Sequence, residues 1–245
     1  GLGDDSLLRG GGGADTIFGG DGIDRLEGQD GDDLLEGGSG ADSLLGGNGD
    51  DTLIGGAGTD RMHGENGDDF IIGGNGDVIF ANAGDDFVEL DGSVDPGLER
   101  AFIDGNDGFD TVSLVGETNR ASVQRIERVI GSAGVDELVL SDSAFVAFDI
   151  TEISGVETIH AQRGDDVLTI TTNDTEAVFG GLGTDRVTLT DGAGNSLLLD
   201  GVEGVTGAEG FDEVRLSDTN TAQLGIFGVE VALGGTGNDR IHSSN

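Results

Sequence analysis

GGGGADTIF (10–18), GGDGIDRLE (19–27), GQDGDDLLE (28–36), GGSGADSLL (37–45), GGNGDDTLI (46–54), GGAGTDRMH (55–63) and GENGDDFII (64–72) follow one another without a gap. A copy one residue short, GGNGDVIF (73–80), comes next, and ANAGDDFVE (81–89) closes the run; a truncated copy, GLGDDSLL, precedes it. Position four is Gly in every copy and position eight is aliphatic or Met. Position six is always Asp: Asp5, Asp15, Asp24, Asp33, Asp42, Asp51, Asp60, Asp69, Asp77 and Asp86. A fixed period of this kind is the signature of a stacked repeat rather than a globular core.

Each position has a physical reading. Positions seven to nine suit a short strand, and side chains alternate along a strand. Ile17, Leu26, Leu35, Leu44, Leu53, Met62, Ile71, Ile79 and Val88 are therefore expected to face inward. Positions one to six suit a tight turn, where Gly adopts backbone angles closed to other residues. Two nonapeptides then make one coil, and each turn lies beneath the turn eighteen residues on, about 4.8 Å away. Asp15 is expected beside Asp33, and Asp24 beside Asp42. Bare carboxylates held so close repel each other, and a divalent cation between them reverses the sign. Turn carbonyls would complete the oxygen shell of six to eight ligands that calcium prefers, whereas zinc would want His or Cys.

The pattern G-G-x-G-x-D-x-U-x resembles the repeats-in-toxin (RTX), haemolysin-type family of calcium-binding β-roll proteins. The resemblance covers residues 1–90. It implies an all-β fold, a parallel β-roll or β-solenoid stacked on several calcium ions, with the position-six Asp carboxylates and turn carbonyls as ligands. It also implies export in an unfolded state by type I secretion, with folding outside the cell.

Composition agrees. The 245 residues include 49 Gly, no Cys, no Trp, no Tyr and one Pro, too few large side chains for an aromatic core. Disulfides stabilise nothing here, so a secreted module needs another staple. There are 49 acidic residues against 11 basic, all Arg, for a net charge of −38. Such a chain repels nucleic acid and anionic membranes and attracts multivalent cations. An EF-hand is excluded because Gly recurs too often for its flanking helices. No apolar run is long enough to span a membrane as a helix. The chain starts partway through one copy and stops just after another, which reads as an internal piece of a longer protein.

Beyond Leu90 the strict period ends. Residues 91–104, with Pro96, read as a linker between the 1–90 roll and a degenerate solenoid over 105–245 with wider, irregular coils. There the motif recurs as GNDGFDTVS, GSAGVDELV, AQRGDDVLT, GGLGTDRVT, GAEGFDEVR and GGTGNDRIH, giving Asp110, Asp136, Asp166, Asp185, Asp212 and Asp239 as further candidate metal ligands. These are expected to form a single edge column, or simply tight turns between strands. Glu127, Glu157, Glu203 and Glu230 each stand nine residues before one of these Asp residues. The position-five acids Asp32, Asp50, Asp68 and Asp85 read as solvated surface, and Arg25, Arg61, Arg186 and Arg240 as screens for the acidic edges.

Catalytic signatures are absent from the sequence pattern. His63, His160 and His242 are isolated, no Cys can act as a nucleophile, and no Ser lies in a GxSxG turn. The expected function is a calcium-binding, secreted structural module of a surface layer, adhesin or extracellular filament, without enzymatic activity. Its expected partners are calcium, copies of itself or cell-surface polysaccharide. The alternative is the non-catalytic RTX domain of a secreted enzyme or toxin.

Overall fold

The computed structural model describes residues 3, 7–93, 99–116, 118–140, 149–171, 175–190, 196–207, 213–216, 223–227, 231–233 and 240–243. Among these residues every element is a β-strand, and the strands pair in parallel. Two compact units are present, one comprising residues 1–126 and 132–134, the other 127–131 and 135–245.

The first unit alternates strands between two sheets. One carries β1 (Leu8–Gly12), β3 (Arg25–Asp30), β5 (Ser43–Asn48), β7 (Arg61–Asn66), β9 (Val78–Ala83), β11 (Ala101–Asp107) and β13 (Thr118–Gln124), in that spatial order. The other carries β2 (Thr16–Asp21), β4 (Leu34–Gly40), β6 (Thr52–Gly58), β8 (Phe70–Gly74), β10 (Phe87–Asp91) and β12 (Thr111–Val115). Each strand pairs with the strand two along, so the chain climbs one rung per coil. Register follows the repeat: Leu26 pairs with Leu44 and Leu44 with Met62, while Leu35 pairs with Leu53 and Leu53 with Ile71. β11 begins at Ala101, inside the stretch expected as a linker.

The second unit continues the same plan. Its strands are β14 (Arg128–Ile130), β15 (Val135–Leu140), β16 (Asp149–Ser154), β17 (Thr158–His160), β18 (Val167–Ile170), β19 (Ala177–Phe179) and β20 (Arg186–Leu189), then β21 (Ser196–Asp200), β22 (Gly204–Thr206), β23 (Glu213–Leu216), β24 (Gln223–Phe227), β25 (Val231–Leu233) and β26 (Arg240–Ser243). Odd strands again share one sheet and even strands the other. Coil length is eighteen residues through the strict repeats. It varies from 18 to 24 in this unit, as hydrogen bonds between stacked residues show.

The core is a ladder of position-eight side chains. Leu26, Leu35, Leu44, Leu53, Met62, Ile71, Ile79 and Val88 are fully buried, with Ile17 nearly so. This is the inward face expected from the alternation. Position-one residues flank them, and they must be small. At Gly37 a Cβ would lie 2.6 Å from both Asp42 Oδ2 and the Gly55 carbonyl oxygen, which backbone packing does not allow. The same side chain that could not fit would also displace the carboxylate on which the site depends.

Candidate metal centre

The turn between two strands brings position six to the mouth of the core. Asp33, Asp51, Asp69, Asp86 and Asp110 precede the even strands; Asp24, Asp42, Asp60 and Asp77 precede the odd ones. All nine are 1–3% exposed. Two columns of buried carboxylates result, one per edge, with Asp15 at the start of the first and less deeply covered.

One hydrogen bond recurs along both columns. Each Asp backbone N–H donates to Oδ1 of the Asp one coil further on. Asp24 donates to Asp42 at 2.9 Å, Asp33 to Asp51 at 2.8 Å, Asp42 to Asp60 at 2.8 Å, Asp51 to Asp69 at 2.8 Å and Asp69 to Asp86 at 2.8 Å. Each carboxylate is thereby anchored to the coil before it and fixed in orientation. The second oxygen is another matter. Oδ2 of Asp15, Asp33, Asp42, Asp51, Asp69 and Asp86 is buried and has no hydrogen-bond partner.

A buried anionic oxygen without a donor is costly and calls for a cation or a proton. No arginine charge offsets the burial of Asp42, Asp51, Asp69 or Asp86. Burial pushes the Asp69 carboxyl up to about 7, aided by repulsion from Asp86 and Asp51. It raises Asp51 and Asp86 to about 6 for the same principal reason, and Asp42 upward as well. Among the described residues no three His, Asp or Glu side chains converge as a metal cluster. A shell here must therefore draw on backbone oxygens, and the Gly37 geometry shows one at hand, the Gly55 carbonyl bordering the same point as Asp42 Oδ2. Hard oxygen donors from carboxylate and carbonyl fit calcium and give zinc nothing it favours.

Asp77 departs from this pattern. Its turn lacks one residue, and the Gly74 N–H donates to Asp77 Oδ2 at 2.7 Å. That oxygen is satisfied by the protein itself. Ala101 and then Ala121 occupy the next places up the same edge, so the Asp column stops there within the first unit.

Position five forms a second, exposed ladder. Asp50 N–H donates to Asp32 Oδ1, Asp68 to Asp50 and Asp85 to Asp68, at 2.9–3.1 Å. The acids recur on one edge only, because alternate repeats (Ile23, Ala41, Thr59) supply the other. Arg25 and Arg61 do not screen the turn edges as expected. Arg25 pairs with Glu27 on the outer face of its sheet, and Arg61 reaches His63 Nε2 and lies 4.9 Å over the Phe80 ring. Strands aim position seven outward, away from the turn. His63 stacks on Phe80 and His160 on Phe179, as half-buried face residues.

In the second unit Asp136 lies at the start of β15, within the strand, whereas Asp166 and Asp185 precede β18 and β20 of the other sheet. The single edge column expected for the later Asp residues is therefore not formed: coils hold two turns, and these residues are shared between both edges. Asp5, Asp212 and Asp239, with Glu230, lie outside the described residues.

The sequence reading missed what the recurrent Glu does. Glu157 Oε2 accepts the Asp136 N–H at 2.7 Å, and Glu203 Oε2 accepts the Asp185 N–H at 2.7 Å. These are the bonds that a position-six Asp makes elsewhere. Glu127, Glu157 and Glu203 end three-residue turns, Arg125-Ile126-Glu127, Gly155-Val156-Glu157 and Gly201-Val202-Glu203. Each turn opens with a left-handed residue (φ 51°, 63° and 71°) and buries its middle side chain. The spacing of nine to the following Asp was the available signal: it is one repeat length.

A family model described as the RTX calcium-binding nonapeptide repeat matches residues 9–44, 45–77, 77–95 and 224–245. No curated protein and no solved structure matches the chain. With glycine turns stacked and aspartates buried in register, the chain carries RTX calcium-binding nonapeptide repeats over residues 9–95 and 224–245.

Proposed function

We propose that this chain is a calcium-loaded structural module of a secreted protein, folding when it meets calcium outside the cell. The observation that carries the reading is the row of buried Asp oxygens with no donor, repeated coil after coil. Calcium between coils supplies the missing charge, and because the sites exist only when coils are stacked, binding energy becomes folding energy. Asp15, Asp24, Asp33, Asp42, Asp51, Asp60, Asp69, Asp86 and Asp110 are the proposed carboxylate ligands. The 1–90 roll and the 105–245 solenoid act as scaffold rather than catalyst. A role in a surface layer, adhesin or filament is supported by the stacked parallel coils found in each unit, and copies of the chain or surface polysaccharide are the partners such a role requires.

Calcium titration followed by far-ultraviolet circular dichroism tests the reading. The chelated chain is expected to be disordered and to gain β-structure with a midpoint in the range of roughly 10⁻⁴–10⁻³ M typical of extracellular modules. Asp42→Ala, which removes a residue contacted from Asp24 and contacting Asp60, should cost about two ions. A spectrum indifferent to both calcium and chelator would refute the proposal.

A further inference from the structure

Residues 96–223 lie outside the stretches matched by the repeat model, yet three turns there stack on one edge. They are 161–166 (AQRGDD), 180–185 (GGLGTD) and 201–203 (GVE). Asp166 and Asp185 are 0% and 2% exposed, and Asp166 N–H donates to Asp185 Oδ1 at 3.0 Å across 19 residues. Asp185 N–H in turn donates to Glu203 Oε2 across 18 residues. This is the ladder of the strict repeats, continued with Glu in the last place.

Four further details copy the first unit. Asp185 Oδ2 is buried without a hydrogen-bond partner, as at Asp33 and Asp51. At Gly180 a Cβ would sit 2.6 Å from Asp185 Oδ2 and would also strike the Gly201 carbonyl oxygen, the pairing seen at Gly37. Thr184 N–H donates to Asp165 Oδ1 at 2.8 Å, repeating the outer position-five ladder. Gln162 and Gly181 take the left-handed conformation at position two, as do Gln29 and Gly47. A shortened turn needs a longer arm to reach the same N–H, and Glu203 supplies the extra methylene.

We propose that Asp166, Asp185 and Glu203 form a second calcium array in the second unit, with Glu203 replacing the position-six Asp and Gly201 contributing its carbonyl. The array rests on the calcium reading of the first unit. It predicts two occupied gaps, one between turns 161–166 and 180–185 and one between 180–185 and 201–203. Because the last turn has only three residues, it offers fewer carbonyls and closes the array.

Hydrogen–deuterium exchange on the intact chain, with and without calcium, reads the two units separately, and atomic emission after dialysis counts bound ions. Calcium should slow exchange in β18 and β20 as well as in β4 to β8. Asp185→Asn should lose about two ions per chain and the calcium-dependent protection of β18 and β20, leaving that of β4 to β8 intact. Glu203→Asp, which keeps the charge, should retain most of that protection. If β4 to β8 respond to calcium while wild-type β18 and β20 do not, or if Asp185→Asn keeps the full ion count, the second array is wrong and the first stands. If wild-type chain binds no calcium at all, both fall together.

Discussion

At the scale of single residues, the turns concentrate strain where the repeat departs from glycine. Position two adopts a left-handed conformation whether or not it is Gly: Gln29, Glu65 and Asn82 have φ of 89°, 83° and 84°. A side chain there costs about 1–2 kcal/mol, less the entropy that glycine would lose on folding. Glu65→Gly should therefore raise stability by about 1 kcal/mol, read as a higher urea midpoint in saturating calcium. Two residues on, the balance reverses. Gly67 has φ 125°, and a Cβ would collide with the Gly49 carbonyl of the coil below. Gly67→Ala should lose about 2–3 kcal/mol in the same assay. If the two substitutions shifted the midpoint alike, the turn conformation would not be the cause.

At the scale of elements, strand and turn were legible in the sequence to different depths. Position eight was plain, because an alternating strand between glycine turns leaves one face for Leu26, Leu53 or Met62, and all are buried. Which edge each turn occupies was less plain. It depends on two repeats making a coil, and the clue, Asp32, Asp50, Asp68 and Asp85 on alternate repeats, looked like irregularity. The Gly-Val-Glu turns were hidden because they omit three residues of the loop, its position-four glycine among them, leaving only the nine-residue step from Glu157 to Asp166. Titration belongs at this scale too, since the raised carboxyls act as a column. Asp51, Asp69 and Asp86 titrate in the folded, calcium-free roll at about 6, 7 and 6, well above the ordinary 3.8 of Asp. Folding without calcium therefore takes up protons. The stability this lends is fully present below about pH 4 and is lost as pH rises towards 7. Protons and calcium thus compete for the folded column, but the chelated chain is disordered and its carboxyls stay ionised down to about pH 4, so the calcium midpoint should hold from about pH 7.5 to 6 and weaken only as pH falls below about 5. Titrations at about pH 7.5, 6 and 4 check this; a midpoint already weakened at about pH 6 would mean that the chelated chain keeps a stacked, protonated column.

At the scale of the whole molecule, a net charge of −38 must be reconciled with stacked acids. Two explanations of folding compete. General screening by salt would reduce repulsion everywhere, whereas bound calcium would act only between coils. Distance decides between them. At physiological ionic strength the screening length is about 8 Å, longer than the roughly 4.8 Å between neighbouring strands. Monovalent salt therefore leaves neighbouring position-six carboxylates repelling one another, and burial excludes its ions from Asp33, Asp51 and Asp69 in any case. Small-angle X-ray scattering separates the two. Chelated chain should have a radius of gyration of about 50 Å, the value for an unfolded chain of this length. Sodium chloride at about 0.15 M should shrink it only slightly. Calcium at about 5 mM should reduce it markedly at constant ionic strength. Equal collapse in sodium chloride and in calcium would make the buried Asp columns incidental to folding, because screening at the surface would then suffice.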